Sequence, residues 1–169
     1  KTKEVKVQRE NINLNFDYIT QLEEQAAHQE MLDDLVYENS EDITSFYEEY
    51  RKAYESDLNN HVFDATRYYL SEGSEAQNEL KSFFPKYVED DSISNHSNYV
   101  DSLTATDENT FVLKANEDYT FYSHEGPIYD YEYNRTYTIV KNGSNYVITN
   151  IQKQKISEEV SNDDYASDY

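Results

Sequence analysis

One stretch near the C-terminus limits the fold of this chain more than any other. Between residues 129 and 139, large and mostly apolar residues alternate with polar ones. The residues on the first face are Tyr129, Tyr131, Tyr133, Arg135, Tyr137 and Ile139. A period of two is the pattern of a β-strand with one buried face. This stretch therefore predicts a strand whose tyrosine-rich face packs on the core.

The dipeptide Asn142-Gly143 follows that strand. A two-residue type I′ turn needs positive φ at both central positions, and Asn-Gly satisfies this requirement best. The sequence therefore predicts a hairpin in which Lys141 pairs with Ser144. This register brings together three cross-strand pairs, which are Ile139 with Tyr146, Tyr137 with Ile148, and Arg135 with Asn150.

About three helices are predicted between residues 17 and 84, where apolar residues recur every three or four positions. A second helix is predicted to begin at Asn39-Ser40, because these side chains can cap a helix and acidic residues follow them. A third is predicted after Ser74, since Gln77 lies three positions later and completes a capping box. Further strands are predicted over residues 98–105 and 110–115, and residues 119–122 are interpreted as a continuation of the second strand after a bulge.

These patterns predict an α+β fold in which the helices pack on a curved antiparallel sheet. Residues 1–16 contain two short period-two alternations and are interpreted as terminal strands of a preceding module. Residues 17–156 are predicted to form the domain of helices and curved sheet. Residues 157–169 are polar and acidic, which predicts a disordered tail.

Charge and composition exclude several function classes. The chain has 35 acidic and 14 basic residues, a formal net charge of −21, which repels nucleic acid and anionic lipid headgroups. It has no cysteine, and its three glycines are isolated, so thiolate chemistry and phosphate-binding glycine loops are not expected. The acidic clusters lack the ligand spacing of a calcium loop. We therefore expect no metal, no cofactor and no catalytic residue.

Two tyrosine-rich surfaces form the candidate ligand site, one on a helix and one on the predicted sheet. The seven residues proposed to line it are Tyr47, Tyr50, Tyr54, Tyr131, Tyr133, Arg135 and Tyr137. A buried Arg135 needs a carboxylate partner or an anionic ligand. We expect an internal partner among Glu48, Glu49 and Asp101, because the net charge disfavours the approach of an anion.

Several segments resemble one known family. They are the strand-like 12–17, the tyrosine-rich 46–54, the segment 68–74 and the closing hairpin 137–151. The chain resembles the C-terminal extracytoplasmic domain of the TcaA/YvbJ membrane-protein family, which is associated with teicoplanin resistance. The resemblance implies a cone of the nuclear transport factor 2-like (NTF2-like) type.

The same resemblance implies a non-catalytic module on the extracytoplasmic side of the cell membrane, in a protein anchored by a transmembrane helix that is absent from this sequence. It implies a cell-wall component or an envelope protein as partner, and it offers no catalytic residues. Two alternatives stay open. One is a small isomerase-type enzyme of the same fold, with Asp101 as the candidate acid. The other is an acidic module that binds cationic proteins or peptides.

Overall fold

A computed structural model describes residues 2–161 of the chain, with side chains from residue 15 onward. It confirms the α+β class, with one long helix, one short helix and a four-stranded antiparallel sheet. In chain order the elements are α1 (Thr2–Asn59), a 3-10 helix (Thr66–Tyr69), α2 (Glu75–Phe83), a 3-10 helix (Phe84–Lys86), β1 (Ser92–Ala105), β2 (Thr110–Tyr122), β3 (Ile128–Asn142) and β4 (Asn145–Ser161).

The predicted helix start at Asn39-Ser40 is wrong, because α1 runs through it without a break. Asn39 is buried, and its side chain reaches the last hairpin instead of capping a helix. Its Oδ1 accepts hydrogen bonds from the Tyr146 hydroxyl at 2.6 Å and from Lys141 Nζ at 2.8 Å. Asn39, a residue type that favours caps, instead joins α1 to the sheet, so the described residues form two α-helices instead of about three.

The other predicted helix start is confirmed. Ser74 is the N-cap of α2, and its hydroxyl accepts a hydrogen bond from the Gln77 backbone N–H at 3.2 Å. The Gln77 side chain turns back and accepts a hydrogen bond from the Gly73 N–H. The first bond satisfies one of the backbone donors that a helix leaves free at its start, and the second goes to the residue before the N-cap instead of to the N-cap itself.

The structure differs from the predicted domain boundaries on both sides of the domain. Residues 2–16, predicted as strands, belong to α1, and none of the four strands of the sheet pairs with them. A short alternation without a partner strand does not distinguish strand from helix. At the other end, β4 continues to Ser161 in register with β3, so residues 157–161 are not a tail. Residue 1 and residues 162–169 lie outside the described residues, and the assignment of 1–16 to a preceding module stays a prediction.

The sheet is a simple meander in the order β1-β2-β3-β4. Register shifts interrupt the pairing of β1 with β2 and of β3 with β4. Such bulges bend the strands and increase their twist, which curves the sheet. The concave face packs on α1 between Ile43 and Leu58, and both of these residues are buried in the core. The core therefore lies between one helix face and one sheet face.

The predicted hairpin exists, but its register next to the turn is shifted by two residues. Asn142 pairs with Asn145, so the turn residues are Gly143 and Ser144. Within the described chain Gly143 has φ +63°, while Asn142 and Ser144 do not have positive φ. This is the requirement of a type II′ turn, which places glycine first, and not of type I′. Next to the turn, a shift of two residues keeps the side chains on their predicted faces, and Ile139 meets Ile148 instead of Tyr146. Beyond the bulge between Thr138 and Ile139 the shift is three residues, so Tyr137 meets Ile151 instead of Ile148 and Arg135 meets Lys153 instead of Asn150.

We expect Gly143→Val to destabilise the domain by about 1–3 kcal/mol, because a β-branched residue is strained at positive φ. No atom lies within 4 Å of the position that a Cβ would occupy, so the effect comes from the backbone alone. Thermal unfolding measures it, with Ser144→Ala in the same turn as the control. An unchanged melting temperature for Gly143→Val would contradict the turn assignment.

Candidate functional site

Glu117 lies at the centre of a fully buried polar cluster between α1 and the sheet, with 0% of its surface exposed. Its Oε2 accepts hydrogen bonds from the hydroxyls of Tyr47 and Tyr137, each at 2.6 Å. Arg135 Nε lies 3.1 Å from its Oε1, and Arg51 Nε lies 3.6 Å from its Oε2. One carboxylate thus contacts two guanidinium groups and two phenols.

The strand pattern explains why Glu117 meets Arg135. On the concave face of β2, Glu117 follows Ala115 at the period of two, so its side chain points to the core. Across the ladder Glu117 lies opposite Tyr133, and Arg135 is the next residue on that face of β3. Diagonal neighbours of this kind are within reach of long side chains.

Arg51 enters the same cluster from the helix. It lies four residues after Tyr47 on α1, so the two side chains share one helix face. Only 1% of its surface is exposed. Its Nε donates to Asn98 Oδ1 at 3.1 Å and its Nη2 donates to Asn95 Oδ1 at 3.2 Å, which ties α1 to β1.

The cluster is strongly coupled electrostatically. Burial alone would raise the pKa of Glu117, but the charges of Arg51 and Arg135, together with the phenol hydrogen bonds, outweigh it and hold this pKa below its ordinary value. Burial and the Glu117 charge raise the pKa values of Tyr47 and Tyr137. At neutral pH the cluster therefore holds one negative charge, two positive charges and two neutral phenols.

A cavity of about 300 Å³ opens beside this cluster, between α2 and the concave faces of β2, β3 and β4. Aromatic rings form most of its wall. Its lining residues are Tyr54, Glu79, Leu80, Phe83, Tyr87, Tyr119, Phe121, Tyr131, Tyr133, Arg135, Ile151 and Lys153. Glu79 and Lys153 are exposed, whereas Arg135 is only 8% exposed, so Arg135 lies at the floor and the other two charges lie at the mouth.

The structure brings four of the seven proposed site residues to the cavity, namely Tyr54, Tyr131, Tyr133 and Arg135. The remaining three, Tyr47, Tyr50 and Tyr137, are buried in the core behind it. Their rings pack edge to face, with centroids 5.4 Å apart for Tyr47 and Tyr137 and 5.7 Å apart for Tyr50 and Tyr137. The role of the four cavity residues in ligand binding stays a prediction.

The prediction that Glu48, Glu49 or Asp101 pairs with Arg135 is wrong. All three are exposed, and the carboxylate that pairs with Arg135 is that of Glu117. The expectation of an internal ion pair is nevertheless correct. The sequence holds one signal that marks Glu117 as a candidate, because this residue interrupts an alternating apolar series. The members of that series are Phe111, Leu113, Ala115, Tyr119 and Phe121.

One comparison with known proteins agrees with this fold. Residues 39–152 match a family model described as the TcaA protein NTF2-like domain. This span includes α2, all the cavity-lining residues except Lys153, the Glu117 cluster and most of the sheet. No curated protein matches the chain. In the described part of the chain, no helix has the length and apolar character needed to cross a membrane.

Proposed function

The chain belongs to the family of TcaA NTF2-like domains, and from this we propose that it is a non-catalytic, envelope-facing binding module of a membrane protein linked to the antibiotic response. The observation that carries the proposal is the aromatic cavity with Arg135 at its floor. The extracytoplasmic location is part of the proposal and is supported by the family alone.

The cavity has the properties of a small-molecule site. Its volume of about 300 Å³ is at the lower end of the range for ligand pockets. Its walls are aromatic, and one buried charge converges on it, which is the usual combination of apolar contact area and a few orienting polar groups. Ring pairs such as Tyr119 and Tyr133, stacked with centroids 5.9 Å apart, give the wall a defined shape.

The electrostatics favour binding over catalysis. A general acid or base works best with a pKa near the operating pH. Glu117 is the buried carboxylate beside the cavity, and two guanidinium groups lower its pKa. An isomerase base in an apolar pocket has a raised pKa instead. Asp101, the acid proposed for the enzyme alternative, is exposed and does not line the cavity.

A second candidate, the binding of a cationic peptide, is favoured by one open groove beside the last hairpin. Its aromatic lining residues are Phe46, Tyr68, Tyr69 and Tyr146. Asp42, Glu49 and Asp64 also line it, and none of its lining residues is basic. Lysine and arginine side chains bind well to surfaces that combine carboxylates with aromatic rings.

An NMR titration of ¹⁵N-labelled protein tests both candidates. The probes are a soluble muropeptide, a panel of aromatic acids and their amides, and trilysine. We expect at least one acid or muropeptide to shift the amides of cavity residues, with this shift lost in Ile151→Trp, which fills the cavity. Ile156→Trp, on the exposed part of the same strand, is the control.

Two results would overturn the proposal. One is that no small probe shifts the cavity amides at millimolar concentration. The other is that Ile151→Trp binds as well as Ile156→Trp does. Shifts confined to the groove and caused only by trilysine would favour the cationic-peptide candidate.

A further inference from the structure

We propose that the cavity selects ligands that carry a single carboxylate on an apolar or aromatic body, and that the carboxylate binds to the outer nitrogens of Arg135. This inference rests on the proposed function, because it names the chemistry that the same cavity would recognise. It replaces the sequence-based expectation that the internal ion pair satisfies Arg135.

The first argument is the charge balance of the buried cluster. Among the described residues, Glu117 is the one carboxylate within ion-pair distance of Arg51 and of Arg135. One negative charge therefore faces two positive charges, and the cluster keeps an excess charge of one. A buried charge without a partner is costly, so the site favours a ligand that brings one negative charge.

The second argument is the orientation of Arg135. Its Nε faces Glu117, while its Nη1 and Nη2 form no hydrogen bond to any described residue. The contact between Arg135 Nε and Glu117 Oε1 also lacks hydrogen-bond geometry. Glu117 therefore offsets the charge of Arg135 without occupying its outer nitrogens, Nη1 and Nη2. Arg135 lines the cavity with the 9% of its side chain that remains exposed. The outer nitrogens of a guanidinium group can donate two parallel hydrogen bonds to one planar carboxylate.

The third argument is the support around the guanidinium. Its carbon lies 5.1 Å from the ring centroid of Tyr133 and 5.9 Å from that of Tyr119. Such cation–π contacts hold the group in place without using its hydrogen-bond donors. Arg51, in contrast, does not line the cavity, and its Nη2 and Nε are bound to asparagines. Of the two cations, Arg135 is thus positioned to meet a ligand.

The wall of the cavity does not oppose an anion. Burial raises the pKa values of Tyr87 and Tyr119, so their phenols stay neutral at physiological pH. The exposed charges at the mouth, Glu79 and Lys153, are of opposite sign and offset each other. The large negative charge of the whole chain acts mainly over long distances, where salt screens it within about 10 Å.

Matched probe pairs test the inference directly. Benzoate is compared with benzamide, and 4-hydroxyphenylacetate with its amide, by NMR titration at about 0.15 M NaCl, where surface charges are screened. We expect the acid of each pair to bind about tenfold or more tightly than the amide, as a charge-assisted hydrogen bond would give. We also expect benzoate, but not benzamide, to shift the side-chain ¹⁵N resonances of Arg135.

Arg135→Gln should reduce the affinity for each acid to that for its amide. This variant should fold, because Glu117 retains Arg51 and both phenols. The control is Lys114→Gln, which removes the same charge from an exposed position on the other face of the sheet and should leave the affinity unchanged. The side-chain resonances of wild-type Arg135 keep the test decisive if Arg135→Gln does not fold.

The possible failures are distinguishable. Equal binding of acid and amide in the cavity would overturn this inference and leave the proposed function standing. Binding of the acids that persists in Arg135→Gln would do the same. If neither member of any pair, nor the muropeptide, shifts the cavity amides, both proposals fall.

Discussion

Glu117→Gln should destabilise the domain by about 3–5 kcal/mol, the cost of removing one partner from a buried ion cluster. The substitution nearly preserves the shape of the side chain but leaves two buried guanidinium groups without a counter-charge. Arg51 and Arg135 have no other ion-pair partner among the described residues. Urea unfolding followed by circular dichroism measures the loss.

The pH dependence gives this prediction a second readout. The pKa of Glu117 lies below its ordinary value in the folded protein, so its contribution to stability is present above the ordinary pKa and is lost as the pH falls through the lowered pKa. We expect the stability difference between wild type and Glu117→Gln to be constant near neutral pH and to shrink in acid. A difference that grows in acid would contradict the assigned direction.

Glu108→Gln is the matched control, since it removes the same charge from an exposed turn. In a chain of net charge −21, the loss of any carboxylate relieves some repulsion, and the control measures this contribution. If Glu117→Gln is as stable as Glu108→Gln, the charge of Glu117 does not stabilise the fold.

The sequence predicted the sheet better than the helices because its signals there are local. The alternation from Tyr129 to Ile139 places the correct residues on the inner face of β3, and burial confirms this for Arg135, Tyr137 and Ile139. The predicted turn lies one residue before the observed one, and its predicted type is wrong. Asn-Gly and Gly-Ser both fit a two-residue turn, and packing across the sheet decides between them.

The long helix shows the opposite case. Asn39 favours a helix start by its intrinsic preference, yet Tyr146 and Lys141 hold its side chain in the middle of α1. These partners lie more than 100 positions away along the chain. A local rule cannot include such a contact, so tertiary packing overrides the capping preference.

The ion cluster was only half predictable for the same reason. The sequence shows that Arg135 lies on an apolar face and needs a partner, and the structure confirms that need. It does not show which of 35 acidic residues supplies the carboxylate. Identifying Glu117 requires the register of β2 against β3, which places the two side chains on a diagonal.

The same core contains a hydroxyl group without a hydrogen-bond partner, that of Tyr50. Its surface is 0% exposed, and its Oη is buried without a hydrogen bond in the described structure. Burial raises its pKa, so the phenol remains neutral. A buried, unsatisfied hydroxyl costs about 1–3 kcal/mol. Tyr50→Phe removes this group and keeps the ring, so we expect this variant to be as stable as wild type or slightly more stable.

Tyr50→Ala should instead cost about 3–5 kcal/mol, because it leaves a large cavity among Tyr54, Tyr69 and Tyr137, whose rings pack against it. Tyr47→Phe is the informative comparison, since it removes a hydrogen bond to the charged Glu117 and should cost about 1.5–3 kcal/mol. Urea unfolding should therefore rank Tyr50→Phe first, Tyr47→Phe second and Tyr50→Ala last. If Tyr50→Phe loses as much stability as Tyr47→Phe, then the Tyr50 hydroxyl is hydrogen-bonded in solution, and the packing described for this part of the core is wrong.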